Sequence, residues 1–267
     1  MLIKNKEFIE EGIEQLSGLL SPELSLQQKF LVERELRMLH AARNGEMSST
    51  HFLNFYYQDS PSWAVLHDLS IENNGSSAQF DHILINRQFN IYAIESKNFS
   101  YGLKITADGE FLVDDGKRCQ NVESPIEHNQ KQIKILERAL SENKIMPKRL
   151  GIHIKPKIKY FILFSPKSEV VKPPKRIFDS SMVIKANMLI KALLKKTKKG
   201  KRTAHKFFAL SKKEKKDPLI NLACRLTSLH HPSTCDYRIK FSLDNIPPPQ
   251  PLEGCSSEHS APSDFCI

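Results

Sequence analysis

The stretch FDHILINRQFNIYAIESK, residues 80–97, holds two short apolar runs, 80–85 and 91–95, on either side of Asn86-Arg87-Gln88-Phe89-Asn90. Both runs have strand length and are rich in Ile, Leu and Tyr, the composition of a β-hairpin with a longer loop. Centring that loop on Gln88 places Asp81, seven residues before it, opposite Glu95, seven residues after it. Side chains alternate along a strand, so Ile91, Ala93, Glu95 and Lys97 share the face of Asp81. Two carboxylates directly opposed in a sheet have Cβ atoms about 5 Å apart and repel unless something cationic lies between them. With a lysine two residues beyond the second acid, the pattern suits a divalent-metal site with an adjacent cation.

Upstream, residues 3–20 carry Ile3, Phe8, Ile9, Ile13, Leu16, Leu19 and Leu20 at helical spacing, which predicts one helix ended by Ser21-Pro22. A second helical pattern starts near Leu24, passes Leu39, and continues or restarts around Gly45-Glu46 towards Tyr57. Residues 63–69 read as a strand, and the Asn73-Asn74-Gly75-Ser76-Ser77 turn leads from it into the Asp81 strand. Downstream, residues 103–106 and 111–113 are short strands around Asp-Gly turns. Ser124 caps a helix with Pro125 at its first position and Glu127 three residues after the cap, a capping box. Residues 157–165 form a buried strand, and residues 183–185 form a short one that opens into a helix over 186–194. Helix, antiparallel strands, helix, strand, helix is an α/β order: a mixed central sheet flanked by helices.

Asp81, thirteen intervening residues, then Glu95-Ser96-Lys97 is the D…E-x-K form of the PD-(D/E)XK nuclease signature. More narrowly, Gln79-Phe80-Asp81-His82 and Ile94-Glu95-Ser96-Lys97-Asn98 resemble the nuclease-related domain family, NERD. Gly45-Glu46 and Ser124-Pro125-Ile126-Glu127 agree with its outlying motifs, and the resemblance runs from about Glu33 to about Leu194. It implies a restriction-endonuclease-like core and metal-dependent hydrolysis of phosphodiester bonds in DNA, with RNA left open. Asp81 and Glu95 would be hard oxygen ligands for Mg²⁺ or Mn²⁺, and the resemblance adds the main-chain carbonyl of Ser96. Lys97 would orient the attacking water or stabilise charge developing on phosphorus, and Glu46 would assist through the metal's water shell. Where the family often has a glutamine three residues after the proline, this chain has His128, with Gln130 close by, as a possible fourth motif. The alternative is a catalytically inactive nucleic-acid-binding or regulatory module on the same fold.

The 267 residues hold one sizeable domain with appendages. The predicted organisation is a helical extension over 1–32, the nuclease-like domain over 33–194, a basic linker over 195–216, a small helix/strand unit over 217–244, and a disordered tail over 245–267. In that unit, residues 219–230 read as a helix behind Asp217-Pro218 and residues 236–243 as a small strand. The formal net charge is +10, yet residues 191–216 alone hold twelve Lys or Arg against one acid, Glu214, so the remainder is close to neutral. Lys195, Lys196, Lys198, Lys199, Lys201 and Arg202 are the candidate phosphate-backbone contacts, of a kind that carries no sequence specificity. No run of about 18 apolar residues suits a membrane span. The amphipathic, acidic start and five cysteines, an odd number, point to a cytoplasmic protein with reduced thiols. The C-terminal Cys and His residues contain no C-x₂-C pair, so no zinc knuckle is expected there.

Overall fold

A computed structural model describes residues 1–6, 10–20, 24–97, 102–114, 118–197, 217–232 and 236–243. Two compact units are formed, one from residues 1–9 and 38–234, the other from residues 10–37 and 235–267.

The larger unit is built on a six-stranded mixed sheet. In chain order its strands are β1 (Leu2–Lys4), β2 (Trp63–Asn73), β3 (Ser76–Asn86), β4 (Asn90–Lys97), β10 (Lys157–Phe164) and β12 (Val183–Lys185), and they are neighbours in that same order. β2, β3 and β4 run antiparallel, while β1 beside β2, β10 beside β4 and β12 beside β10 are parallel. Helices cover both faces. On one face lie α3 (Pro125–Glu142), through Leu136, Ala139 and Leu140, and α5 (Pro218–Thr227), through Leu219, Leu222, Ala223 and Leu226. On the other, α2 (Leu26–Tyr57) contributes Leu53 and Tyr57, and α4 (Leu189–Thr197) contributes Leu189 and Leu193. This two-sided burial explains why residues 82–86 and 91–95 are buried without interruption and why 83–85 and 91–94 are all apolar or aromatic: a strand covered on both faces has no solvent side. The mixed α/β architecture is therefore the one that the order of elements predicts.

A second, four-stranded sheet is ordered β11 (Glu169–Val171), β5 (Gly102–Ile105), β6 (Phe111–Asp114), β7 (Cys119–Val122). Leu103, Ile105 and Phe111 from it pack with Ile126, Ile162, Phe164 and Val183. The remaining strands, β8 (Lys148–Arg149) and β9 (Ile152–His153), form a short hairpin.

Two expectations are corrected. Residues 3–20 do not form one helix: Leu2–Lys4 is strand β1, and among the described residues helix α1 spans Glu10–Leu19. β1 pairs with Val65 and Leu66, giving β2 a hydrogen-bonded neighbour where its edge would otherwise leave buried backbone groups unmet. Residues 236–243 make a short helix, α6 (Tyr237–Lys240), rather than a strand. Asp236 caps it, accepting from the amides of Arg238 at 2.9 Å and Ile239 at 3.2 Å. The smaller unit holds α1, α6 and the start of α2, with Lys240 paired to Glu35 at 2.7 Å. The basic residues Lys198, Lys199, Lys201 and Arg202 and the tail over 245–267 lie outside the described residues, as do the side chains of Lys195 and Lys196 at the end of α4. Among the described residues no helix is long and apolar enough to cross a membrane.

Candidate active site

The hairpin register sets the site. β3 and β4 pair Ile85 with Ile91, Leu84 with Tyr92, Ile83 with Ala93 and His82 with Ile94, the pairing that centring on Gln88 predicts. The loop is pinned by Asn86, whose Oδ1 accepts from the amides of Gln88 at 3.0 Å and Asn90 at 3.1 Å. Asp81 and Glu95 come next in register, and there the ladder gives way to a side-chain contact. The Ser96 amide donates to Asp81 Oδ2 at 2.7 Å, so a main-chain donor of β4 is met by the carboxylate itself.

The alternation of faces also shifts at this point. Ala64 and Leu66 of β2 share a core cluster with Leu69 and Ile71, and Ile83 and Ile85 of β3 share it with Ala78 and Phe80. Strict period-two strands could not place those sets together, so the pleat changes phase at Asp68 and Asp81. Asp68 takes up the change with φ 48, a left-handed conformation uncommon for a residue with a side chain. Beyond it, Ser70 and Glu72 of β2 and Ser77 and Gln79 of β3 are no longer buried. The first acid of the motif thus sits where the doubly covered sheet becomes single-sided.

Glu95 is buried at 7% exposure, and Lys97 Nζ lies 2.7 Å from its Oε1. Two residues apart on one strand, the two side chains leave the same face, as expected. β10 holds this strand end rigidly, since its Ile162, Leu163 and Phe164 pair with Glu95, Ser96 and Lys97. On the other face Ser96 Oγ is 2.8 Å from Ser49 Oγ on α2, and Ser49 Oγ is 3.0 Å from His82 Nε2. His82 in turn meets His67 of β2, Nδ1 to Nδ1 at 2.8 Å. Burial pushes the His67 imidazole down to about 4, with Lys6 and Lys4 adding to it, and pushes His82 well below the ordinary histidine range.

Glu46 lies in α2, three residues before Ser49, and its side chain is outside the described residues. Ser124 caps α3 as expected, accepting from the Glu127 amide at 3.4 Å. The residues of the possible fourth motif have partners of their own: His128 Nε2 accepts from Gln132 Nε2 at 2.7 Å, and Gln130 Nε2 donates to the Tyr160 hydroxyl at 3.4 Å.

Ser49, His67 and His82 were not singled out as site residues by sequence reasoning, although the signal for the histidine pair was present. The two-residue Asn74-Gly75 turn, with φ 50 and 73, fixes the β2–β3 register and brings His67 opposite His82. Ser49 carries no such signal, because a serine in mid-helix is usually solvated.

Asp81 and Glu95 offer the hard oxygens that Mg²⁺ and Mn²⁺ take. Among the described residues no cluster of three or more His, Cys, Asp or Glu could hold a metal. A donor set of two carboxylates fits a cation that keeps several waters and does not fit a closed zinc site. No curated protein and no solved structure matches the chain. Residues 41–165, which span α2 from before Ser49 through the end of β10, match the family model of the nuclease-related domain, NERD, a family assigned in general to the PD-(D/E)XK superfamily.

Proposed function

We propose that the protein is a metal-dependent nuclease that hydrolyses phosphodiester bonds in DNA, with Asp81, Glu95 and Lys97 as its working residues and Mg²⁺ or Mn²⁺ as its cofactor. The observation that carries this reading is the Asp81 carboxylate bonded to the amide of Ser96, the residue between Glu95 and Lys97. That bond draws the two acids of the motif to one strand end, where the lysine already stands beside Glu95.

Asp81 and Glu95 would hold the cation, with the Ser96 carbonyl as a third protein donor. The bound cation would supply Lewis acidity towards a phosphoryl oxygen and a lowered pKa for its water. The other contributions come from the chain. The Ser96 amide orients Asp81 by donating a hydrogen bond to its carboxylate. Lys97, partly exposed at the edge of the site, would exchange Glu95 for a phosphate oxygen as charge builds on it. Glu46 would act through coordinated water. The basic tract, including Lys195, Lys196, Lys198, Lys199, Lys201 and Arg202, would hold the phosphate backbone without reading its sequence.

The Lys97–Glu95 pair also favours a second reading, in which lysine and acid neutralise each other for good and the domain only binds nucleic acid. Supercoiled plasmid separates the two. The purified protein should nick it with Mg²⁺ or Mn²⁺ and stop on addition of EDTA, and Asp81→Asn should abolish nicking while keeping the fold. Wild type that retards plasmid in a gel yet never nicks it would establish the binding module instead.

A further inference from the structure

At the end of β4, polar side chains from four elements, α2, β2, β3 and β4, form one continuous line. Asn54 Oδ1 lies 2.9 Å from His67 Nε2, and His67 Nδ1 lies 2.8 Å from His82 Nδ1. His82 Nε2 lies 3.0 Å from Ser49 Oγ, which is 2.8 Å from Ser96 Oγ. Ser49, His67 and His82 are all buried. The direction of each bond follows from the atoms. An amide oxygen only accepts, so His67 donates from Nε2; its neutral ring then offers Nδ1 as an acceptor, and His82 must donate from its own Nδ1. The Nε2 of a neutral His82 accepts the Ser49 hydroxyl proton, which leaves Ser49 Oγ to accept from Ser96. Two ring nitrogens facing each other at 2.8 Å have room for one proton, so two neutral rings must take opposite tautomers there.

Apolar side chains of similar volume would fill this space without the cost of burying polar groups. A fully matched line of donors and acceptors instead specifies one arrangement. This line ends on the residue between Glu95 and Lys97 whose amide carries Asp81. We propose that His67 and His82 are positioning residues: with Asn54 and Ser49 they tie helix α2 to Ser96, and so fix how the Ser96 amide meets Asp81 and how Glu95 stands to it. The consequence for metal binding rests on the nuclease reading; the line itself is a property of the metal-free protein.

The test uses the full chain, the variants Ser49→Ala, Ser96→Ala and Ser96→Thr, and Mn²⁺ as the probe. In the metal-free wild type, nitrogen NMR of the histidine rings should show His67 protonated on Nε2 and His82 on Nδ1. The Ser96 amide should be protected from hydrogen exchange, and Ser49→Ala should speed its exchange by about tenfold, the factor for losing roughly one net hydrogen bond. Mn²⁺ affinity by calorimetry should fall by about 10–100-fold in both alanine variants, the usual cost of losing an outer partner of a metal ligand. Ser96→Thr, which keeps the hydroxyl, should restore it. Matching tautomers in the two rings overturn the proposal, as do unchanged Ser96 exchange in Ser49→Ala or unchanged Mn²⁺ affinity in both alanine variants. A wild type that binds no Mn²⁺, yet shows opposite tautomers and Ser49-dependent protection, would support the line and sink the metal-dependent reading alone.

Discussion

At Glu95 a carboxylate is buried with only one described ion-pair partner, Lys97, and the two ends of that pair are not equivalent. The Lys97 side chain is 36% exposed and the Glu95 side chain 9%. Removing the lysine therefore strands a buried charge, whereas removing the acid leaves a lysine that can turn to water. Lys97→Ala should destabilise the metal-free protein by about 1–3 kcal/mol, less than a fully buried pair would lose because the lysine is partly solvated. Glu95→Gln should cost less than about 1 kcal/mol. Urea unfolding of both variants measures the difference, and equal losses would refute the asymmetry. In the nuclease reading Mg²⁺ should recover part of the Lys97→Ala loss, since binding to the folded state alone stabilises it. The ion pair follows from period-two spacing on one strand and was legible in the sequence. The depth of Glu95 was not, because it depends on β10 running parallel beside β4, a neighbour that arrives more than sixty residues later.

At the scale of elements, the hairpins were readable and the edges were not. Asn74-Gly75 and the Asn86–Asn90 loop carry turn chemistry that sets register locally, so β2, β3 and β4 could be aligned from letters alone. β1, β7 and β11 are three or four residues long, and β7 and β11 are mostly exposed, too short and too weakly patterned to announce themselves. Gly75 has φ +73 with open space where a Cβ would stand, so Gly75→Ala meets strain and no clash. It should cost about 1 kcal/mol, read as a small fall in melting temperature with the register intact. The histidine pair joins α2, β2 and β3 and sets a pH dependence. His67 has a folded pKa of about 4, below its unfolded value, so the unfolded chain takes up the proton first as pH falls. Its contribution is complete above the unfolded value of about 6.5 and is lost as pH falls towards 4, up to about 3 kcal/mol. Burial of His82 acts with the same sign, while Lys4 and Lys6 already disfavour a charged His67. Stability by urea unfolding should fall steadily from pH 7 to pH 4.5, and a flat profile would mean that the two rings are not held neutral.

At the scale of the whole molecule, Asp217, the described residue that follows the basic tract, meets the loop end of the hairpin whose other end carries the motif acids. The basic tract leads into Asp217, whose carboxylate is 2.7 Å from Arg87 in the β3–β4 loop. Asp81, Glu95 and Lys97 stand at the far end of that hairpin, roughly 20 Å away along strands that rise about 3.3 Å per residue. Charge composition made the tract visible in the sequence, and turn chemistry made the hairpin visible. Their relation was not visible, because it rests on Arg87 meeting a residue 130 positions later. Twenty ångströms is about six base pairs of duplex, at 3.4 Å per step along one strand. On the proposed function, a single stretch of DNA of that length would reach from Arg87 to the acids, and the tract would add backbone contacts apart from the reacting phosphate. On that arrangement, changing Lys195, Lys196, Lys198, Lys199 and Lys201 to Gln should weaken binding to every sequence alike. Each lost phosphate contact should flatten the slope of log K against log salt by about 0.9 for duplex DNA. The rate of nicking at saturating DNA should stay near that of the wild type, so the loss falls on KM and spares kcat. Filter binding across a salt series, run beside the plasmid assay, reads both quantities. An unchanged salt slope would make the tract a passive connection between α4 and α5, and a collapse of kcat would place its lysines at the reacting phosphate.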